Sequence, residues 1–483
     1  MKPPEPVSHL GFGHALAEIL EELTRPALLP PGELSVSLSR TQRIQRETLQ
    51  TLLSFYERFG PVFAFRSLHR RIVAMIGPAA NHFVTVSGAE NFSWRQGMFG
   101  EQLTPLIGDG LITTDEAYHD RARRIMMPAF HRRRLDSAVE VMVQEAERGL
   151  ESWAPGARID VYEWMRELAM NIAMRALLGL DPHASDLGRE AARLFERGLA
   201  FYDEDTWKTM LRGPGTPWSS MQAARRGLDA IIYAEIESRR GGPGARGTSA
   251  DDVFSMLLEA RDEAGEGFTA TELRHQIMHL LFGGHDTTSS TLSFLIYELA
   301  RNPSVLERLT DELDRVLAGR APTTDELIGE LPFLSQVLDE TLRLYPPVWF
   351  GPRLTVRPFE FGGFRIPAGI HVIHSSWVSH RLPDVFPSPE AFVPERFSPE
   401  ARRQLPPGAY IPFGGGQRIC IGKRFGQLAV KAVAATVLQR FRCELVPGFE
   451  LRVAKVPTLS PEHGLPMVVS CRQVAPMRAS VPS

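Results

Sequence analysis

The sequence predicts a mainly α chain with a small β-rich region (α+β), and three observations carry that expectation. From Tyr118 to about Leu317 apolar residues recur at helical spacing almost throughout. Two short runs, Val62 to Phe65 and Ile72 to Ile76, flank Arg66 to Arg71 and read as a β-hairpin. From Pro346 to Pro399, proline, glycine and short apolar runs such as Phe359 to Ile366 and His371 to Ile373 replace that periodicity with strands and loops. The β-rich parts are therefore expected at about 60–90 and 346–400.

In chain order, a helical segment follows Pro30-Pro31-Gly32 and runs to about Phe59, before the hairpin. The helical middle breaks at Gly213 to Pro217 and at Gly241 to Gly247. A long apolar helix spans about Thr271 to Arg301, and a final amphipathic helix spans about Gly422 to Arg440. Val474 to Ser483 look frayed. A length of 483 residues suggests about three domains of ~100–200 residues each, with Arg239 to Ser249 as the linker by composition. A surface loop explains that stretch equally well.

With 54 basic and 57 acidic residues the net charge is −3, which gives no electrostatic reason to expect nucleic-acid binding. Three cysteines, Cys420, Cys443 and Cys471, make no disulfide framework and point to a reducing, cytoplasmic setting. The leucine-rich stretch from Leu16 to Leu29 is interrupted by Glu18, Glu21, Glu22 and Arg25, and no other run reaches the ~20 apolar residues of a membrane span. A protein without a membrane span is expected.

The chemistry concentrates in Phe413-Gly-Gly-Gly-Gln-Arg-Ile-Cys420-Ile-Gly422. Cys420 stands at a helix start, where backbone N–H groups and the dipole favour a thiolate. Gly414, Gly415 and Gly416 allow a tight turn, and Gly422 lets the helix start approach a flat group closely. Zinc has no second ligand at finger-like spacing, whereas haem iron needs one proximal protein ligand. On these residues the chain resembles the cytochrome P-450 family, whose Phe-x-x-Gly-x-Arg-x-Cys-x-Gly loop is matched by Phe413, Gly416, Arg418, Cys420 and Gly422.

Other stretches add to the resemblance. Glu340-Thr-Leu-Arg343 puts an acid and a base three apart on one helix face, and with Arg396 of Pro394-Glu-Arg-Phe397 it is similar to the family's structural triad. Phe282-Gly-Gly-His-Asp-Thr-Thr288 places poor helix formers in mid-helix, where Thr287 can bond back to the Gly283 carbonyl and open a groove. It resembles the oxygen-activation motif, which implies that Thr287 hydrogen-bonds dioxygen and that Asp286 relays protons. Cationic partners for the haem carboxylates are implied at His119, Arg123, Arg353 and Arg418. His275 and His279 stand i, i+4, but Gln276 occupies the place where a zinc-protease helix has Glu. His285 is read as a helix-facing hydrogen-bonding residue.

The resemblance covers essentially the whole chain. It implies one triangular-prism domain over 1–483, overriding the three-domain expectation, and a monooxygenase with Cys420 as axial ligand of heme b and Asp286 and Thr287 catalytic. O2 and NAD(P)H-derived electrons are co-substrates, the electrons arriving through a ferredoxin or flavodoxin and its reductase, and a monomer is expected. Arg121, Arg124, His131 to Arg134, Lys423 and Arg424 are the expected docking face for that acidic partner. An apolar substrate of lipid, terpenoid or polyketide type is expected, lined by Phe92, Trp94, Met98, Phe99, Leu106, Phe201, Trp207, Met210, Trp218, the groove near Gly283 and Val348 to Phe350. Two rivals stand beside this reading: a peroxide-using haem-thiolate enzyme, against which Asp286-Thr287 argues, and a non-enzymatic haem-binding sensor or carrier.

Overall fold

A computed structural model describes residues 20, 28–67, 69–131, 135–204, 206–241 and 252–472. The Arg239 to Ser249 stretch, Arg132 to Arg134, the Trp207 side chain and the C-terminal Val474 to Ser483 lie wholly or largely outside the described residues. The chain is mainly helical with small sheets, as expected. Among the described residues no helix is long and apolar enough to cross a membrane.

The largest sheet is built from distant parts of the chain. Its six strands lie in the order Gly32–Glu33, Val62–Ser67, Arg70–Met75, His371–His374, Gly351–Thr355 and Phe92–Ser93. The hairpin pairs Val62 with Met75 and Ser67 with Arg70, so its strands run further and its turn is tighter than expected. Arg70–Met75 continues parallel to His371–His374, which runs antiparallel to Gly351–Thr355 and so sets Arg353 opposite Val372. One face of the sheet joins Phe55, Phe63, Phe65, Trp349 and Trp377; the other joins Phe92, Val73, Val372 and Phe359.

The main core lies between helices. The expected 271–301 helix is two, Ala270–Gly284 and Asp286–Arg301, joined at His285. Thr269 and Glu272 start the first with a capping box, satisfying two orphan N–H groups. The helix Lys423–Arg440 differs from the amphipathic expectation: its residues from Leu428 to Leu438 are buried on every side. Ala429, Ala432, Ala434 and Ala435 let neighbouring helices close around it, and buried Lys431 donates to the Leu327 carbonyl and Ser335 Oγ instead of reaching water.

Candidate functional site

Cys420 ends a loop closed by its own N–H, which donates to the Phe413 carbonyl at 2.9 Å. Gly416 has φ +60°, and a Cβ there would fall 2.1 Å from the Thr85 carbonyl oxygen, so the 83–87 segment packs on the loop only because this residue is glycine. Lys423 begins the following helix, with Gly422 as its N-cap. The helix start does not by itself make a thiolate. Cys420 keeps exposed surface, yet desolvation by the protein packed around its sulfur pushes the thiol up, and the Gly422 N–H, Arg123 and Lys423 offset that only in part. A bound metal cation supplies the missing positive charge, since a coordinating thiol loses its proton.

Three arginines and a histidine surround the space beside this loop. Arg353 is buried, and its only hydrogen bond among the described residues runs from Nη1 to the carbonyl of its own neighbour Pro352, at 2.8 Å. No ion pair to a carboxylate forms from it among the described residues, and burial, with Arg418, holds it well below its ordinary value. Its guanidinium carbon lies 3.3 Å from the Trp94 ring centroid, and that of Arg418 lies 5.6 Å from the same ring. Trp94 is thus sandwiched into the cationic corner, a place the sequence reading assigned to substrate lining.

Arg418 pairs with Asp115 and donates to the Leu111 and Thr114 carbonyls. Asp115, missed in the sequence, also accepts from Ser93 Oγ and from the N–H groups of Trp94 and Arg95. His119 is buried with Nδ1 3.0 Å from Asp120; burial lowers it to about 4, with Arg418 acting in the same direction. Arg123 is lowered by burial and raised by the Cys420 charge, which places it within electrostatic reach of the thiol. A haem fits this donor set: one cysteine on a glycine-rich loop for the iron, and a buried cation lacking a carboxylate, together with His119, Arg123 and Arg418, for two carboxylates.

Behind the loop, Glu340 and Arg343 are fully buried and joined by two hydrogen bonds of 2.7 and 2.8 Å. Arg343 also donates to the carbonyls of His380, Pro389 and Ala391, and Arg396 approaches Glu340 at 3.4 Å. His380, another residue missed in the sequence, fastens this knot to the cysteine loop. Its Nδ1 faces the Arg343 carbonyl and its Nε2 accepts from the Ile411 N–H, two residues before Phe413. No string pattern marks it, because both partners are more than 30 positions away.

On the other side, Thr287 Oγ1 donates to the Gly283 carbonyl at 2.6 Å. No atom lies within 4 Å of where a Gly283 Cβ would stand, so an open groove flanks the helix there. Asp286 points away from that groove into protein. It is buried, 3.7 Å from Arg166 and 3.1 Å from His285 Nδ1; burial raises it, but His285 and Arg166 outweigh burial and hold it below its ordinary value. His275 and His279 make no metal site. His279 accepts from the Ile112 N–H and meets the Gly108 carbonyl, while Gln276 accepts from Leu111 and Arg274 donates to Leu106 and Ile107. Together they clamp residues 106–112 to the helix.

Of the expected lining, Phe99 packs edge-on to Phe350, and Phe201 packs edge-on to Trp218. Two residues belong elsewhere: Phe92 packs with Phe83 and Phe359 under the sheet, and Leu106 is buried against Gly198. The expected docking face also changes, because Arg121 is engaged by Asp262 and Glu272. Arg124, His131 and Arg424 stay exposed.

Comparison with known proteins agrees with this arrangement. The family model "Cytochrome P450" matches residues 26–459. Cyclooctatin synthase of Streptomyces melanosporofaciens is 35% identical over 73% of this chain and 76% of its own length. Cyclooctat-9-en-7-ol 5-monooxygenase of the same organism is 31% identical over 87% and 90%. Among solved structures, retinoic-acid-bound cyanobacterial CYP120A1 superposes with a TM-score of 0.82 at 29% identity, covering 93% of this chain and 100% of that one.

Proposed function

The chain belongs to the cytochrome P450 family and is a haem monooxygenase, and from that premise we propose that it inserts one oxygen atom of O2 into an unactivated C–H or C=C bond of an apolar isoprenoid or fatty-acid-like substrate. The observation that carries this reading is Arg353, a buried cation that pairs with no carboxylate among the described residues, on the same site as the Cys420 loop. In this reading the Cys420 sulfur would hold the iron of heme b, Arg353, Arg418, His119 and Arg123 would hold its propionates, and Phe413 and Gly422 would pack beside it. When bound, the haem supplies oxygen activation and transfer.

The rest falls to the chain. Thr287, tied to Gly283, presents its hydroxyl to the groove, where it orients a hydrogen-bonded partner and passes a proton. Asp286, next in sequence, holds a carboxyl out of solvent in contact with His285 and Arg166. Where apolar walls keep bulk water from a reacting group, groups such as these deliver its protons. Electrons come from NAD(P)H through a ferredoxin or flavodoxin and its reductase, docking on the face carrying Arg124, His131, Lys423 and Arg424. The one-domain reading of 1–483 is supported by a sheet that joins strands within 32–93 to strands within 351–374, and by a second that joins Arg158–Asp160 to Pro466–Cys471.

The substrate class draws on the relatives, whose names include a cyclic alkenol oxygenase and a retinoic acid complex, and on Phe99, Phe201, Trp218 and Phe350. Polyenoic acids, cyclic terpene alcohols and long-chain acids should produce spin-state shifts, and with reductase, ferredoxin and 18O2 a product carrying one labelled atom. Shifts confined to small polar compounds would overturn the substrate class. Product formation with peroxide and none with the reductase would restore the peroxide-using alternative.

A further inference from the structure

His285 joins the two long helices and is fully buried. Acceptors surround its ring. Nε2 lies 3.1 Å from the Arg166 carbonyl oxygen and 3.2 Å from Glu196 Oε1, so this nitrogen carries a hydrogen. Nδ1 lies 3.1 Å from Asp286 Oδ1, and neither atom has a hydrogen-bond partner elsewhere among the described residues. With Nε2 protonated, a neutral ring turns a lone pair toward an ionised carboxylate where water does not reach. Both acceptors are then unsatisfied, and the site carries Asp286 and Glu196 against the single cation Arg166. One added proton between Nδ1 and Oδ1 removes both defects and balances two carboxylates with two cations.

We infer that His285 and Asp286 share one proton at this contact, making His285 the positioning residue that keeps a proton at Asp286 for the relay the proposed function gives it. The inference deepens the proposed function and rests on its reading of Asp286 as the acid. The groups facing the ring come from three elements: Arg166 on Val161–Ile172, with Tyr162 bonded to it, Glu196 on Asp186–Leu199, and Asp286 itself. Just beyond lies Asp203, pushed up to about 6 by burial, with Arg166 opposing and Asp286 and Glu196 adding to the rise. Glu196, 38% exposed at its side chain, and the exposed Asp203 connect these groups to solvent. In each cycle the pair gives up one proton and regains one from solvent on the Glu196 side, and no electrons move.

The test is nitrogen NMR of the haem-loaded, reduced, carbon-monoxide-bound protein, which is diamagnetic, with its 14 histidines 15N-labelled. His285→Gln identifies the His285 resonances by their loss, and if that variant does not fold, Glu196→Gln identifies them by their shift. At neutral pH both ring nitrogens of His285 should resonate in the protonated range, with Nδ1 moving to the bare-nitrogen position in Asp286→Asn. A bare Nδ1 in the wild type, or one unmoved by Asp286→Asn, overturns the inference. In turnover, His285→Gln should change the acidic limb of the pH profile and raise the solvent isotope effect at unchanged substrate affinity. A merely structural role leaves both unmoved, and that result also overturns the inference. If Asp286→Asn keeps full coupling, the reading of Asp286 as the acid fails while the spectrum still reports the shared proton, so the two failures are distinguishable.

Discussion

Arg353 lies with its guanidinium carbon 3.3 Å over the ring of Trp94, buried and without a carboxylate partner. A cation in that position weakens the cofactor-free fold and strengthens the loaded one. Arg353→Met should leave the apoprotein at least as stable in urea. It should also speed haem loss to a scavenging apoprotein by roughly 10- to 100-fold, the loss of one charged hydrogen bond of ~1.5–3 kcal/mol. Equal rates of loss would remove Arg353 from the cofactor site.

Thr287 bonds back to Gly283 beside open space. Thr287→Ala should bind substrate with an unchanged spin-state shift while product per NAD(P)H consumed falls by at least about tenfold and peroxide accumulates, as expected when a positioned proton donor is lost. Full coupling in this variant would exclude the hydroxyl from the chemistry.

Glu340 and Arg343 form an ion pair with no exposure, whose remaining donors are spent on three carbonyls. Breaking it leaves a charge buried alone, a cost of ~3–5 kcal/mol. Glu340→Gln should therefore lower the urea midpoint sharply or yield insoluble protein, even though it lies behind the cysteine loop. A loss below ~1 kcal/mol would mean that the pair is solvated.

Buried histidines set the acid limit of stability. Burial, first in each case, lowers His275 to about 4 and His279, His374 and His380 to about 3. Their folded values lie below the unfolded value near 6.5, so the unfolded chain binds more protons as pH falls. The stability they contribute is present above about 6.5 and is lost on the way down toward 3. Each adds a slope of ~1.4 kcal/mol per pH unit within that window. Urea midpoints should fall steeply below pH 6, and His279→Gln should flatten the slope by about one proton while lowering the plateau, because it also releases residues 106–112. An unchanged slope would show that His279 is protonated in the fold.

The helical middle and the hairpin are legible because period 3.6 and short strand-like runs are local signals. The groups around Cys420 and Thr287 are legible as strings for the same reason: Gly283 and Thr287 are four apart, and Glu340 and Arg343 three. What the sequence conceals depends on partners far along the chain. Asp115 reads as an ordinary acid until Ser93 and Arg418 meet on it, and His380 is anonymous without Ile411. Trp94 and Phe92 were aromatic enough to suit a substrate wall, but the sheet register carries Phe92 beneath it and the stacking of Arg353 claims Trp94. The helix Lys423–Arg440 misleads for a related reason. Lys431 supplies a polar position that mimics a solvent face, although a carbonyl and a hydroxyl satisfy it inside the core. Arg121 looked available to a redox partner only because Asp262 and Glu272 are some 140 or more positions away.

The most direct measurement is the absorption spectrum of the reduced carbon-monoxide complex, for the wild type and for Cys420→Ala, with circular dichroism recording that both are folded. A thiolate ligand shifts the main band strongly to the red. The expected result is a red-shifted band in the wild type that is absent from Cys420→Ala. A red-shifted band that persists in folded Cys420→Ala would contradict Cys420 as the iron ligand and, with it, the site built around that loop.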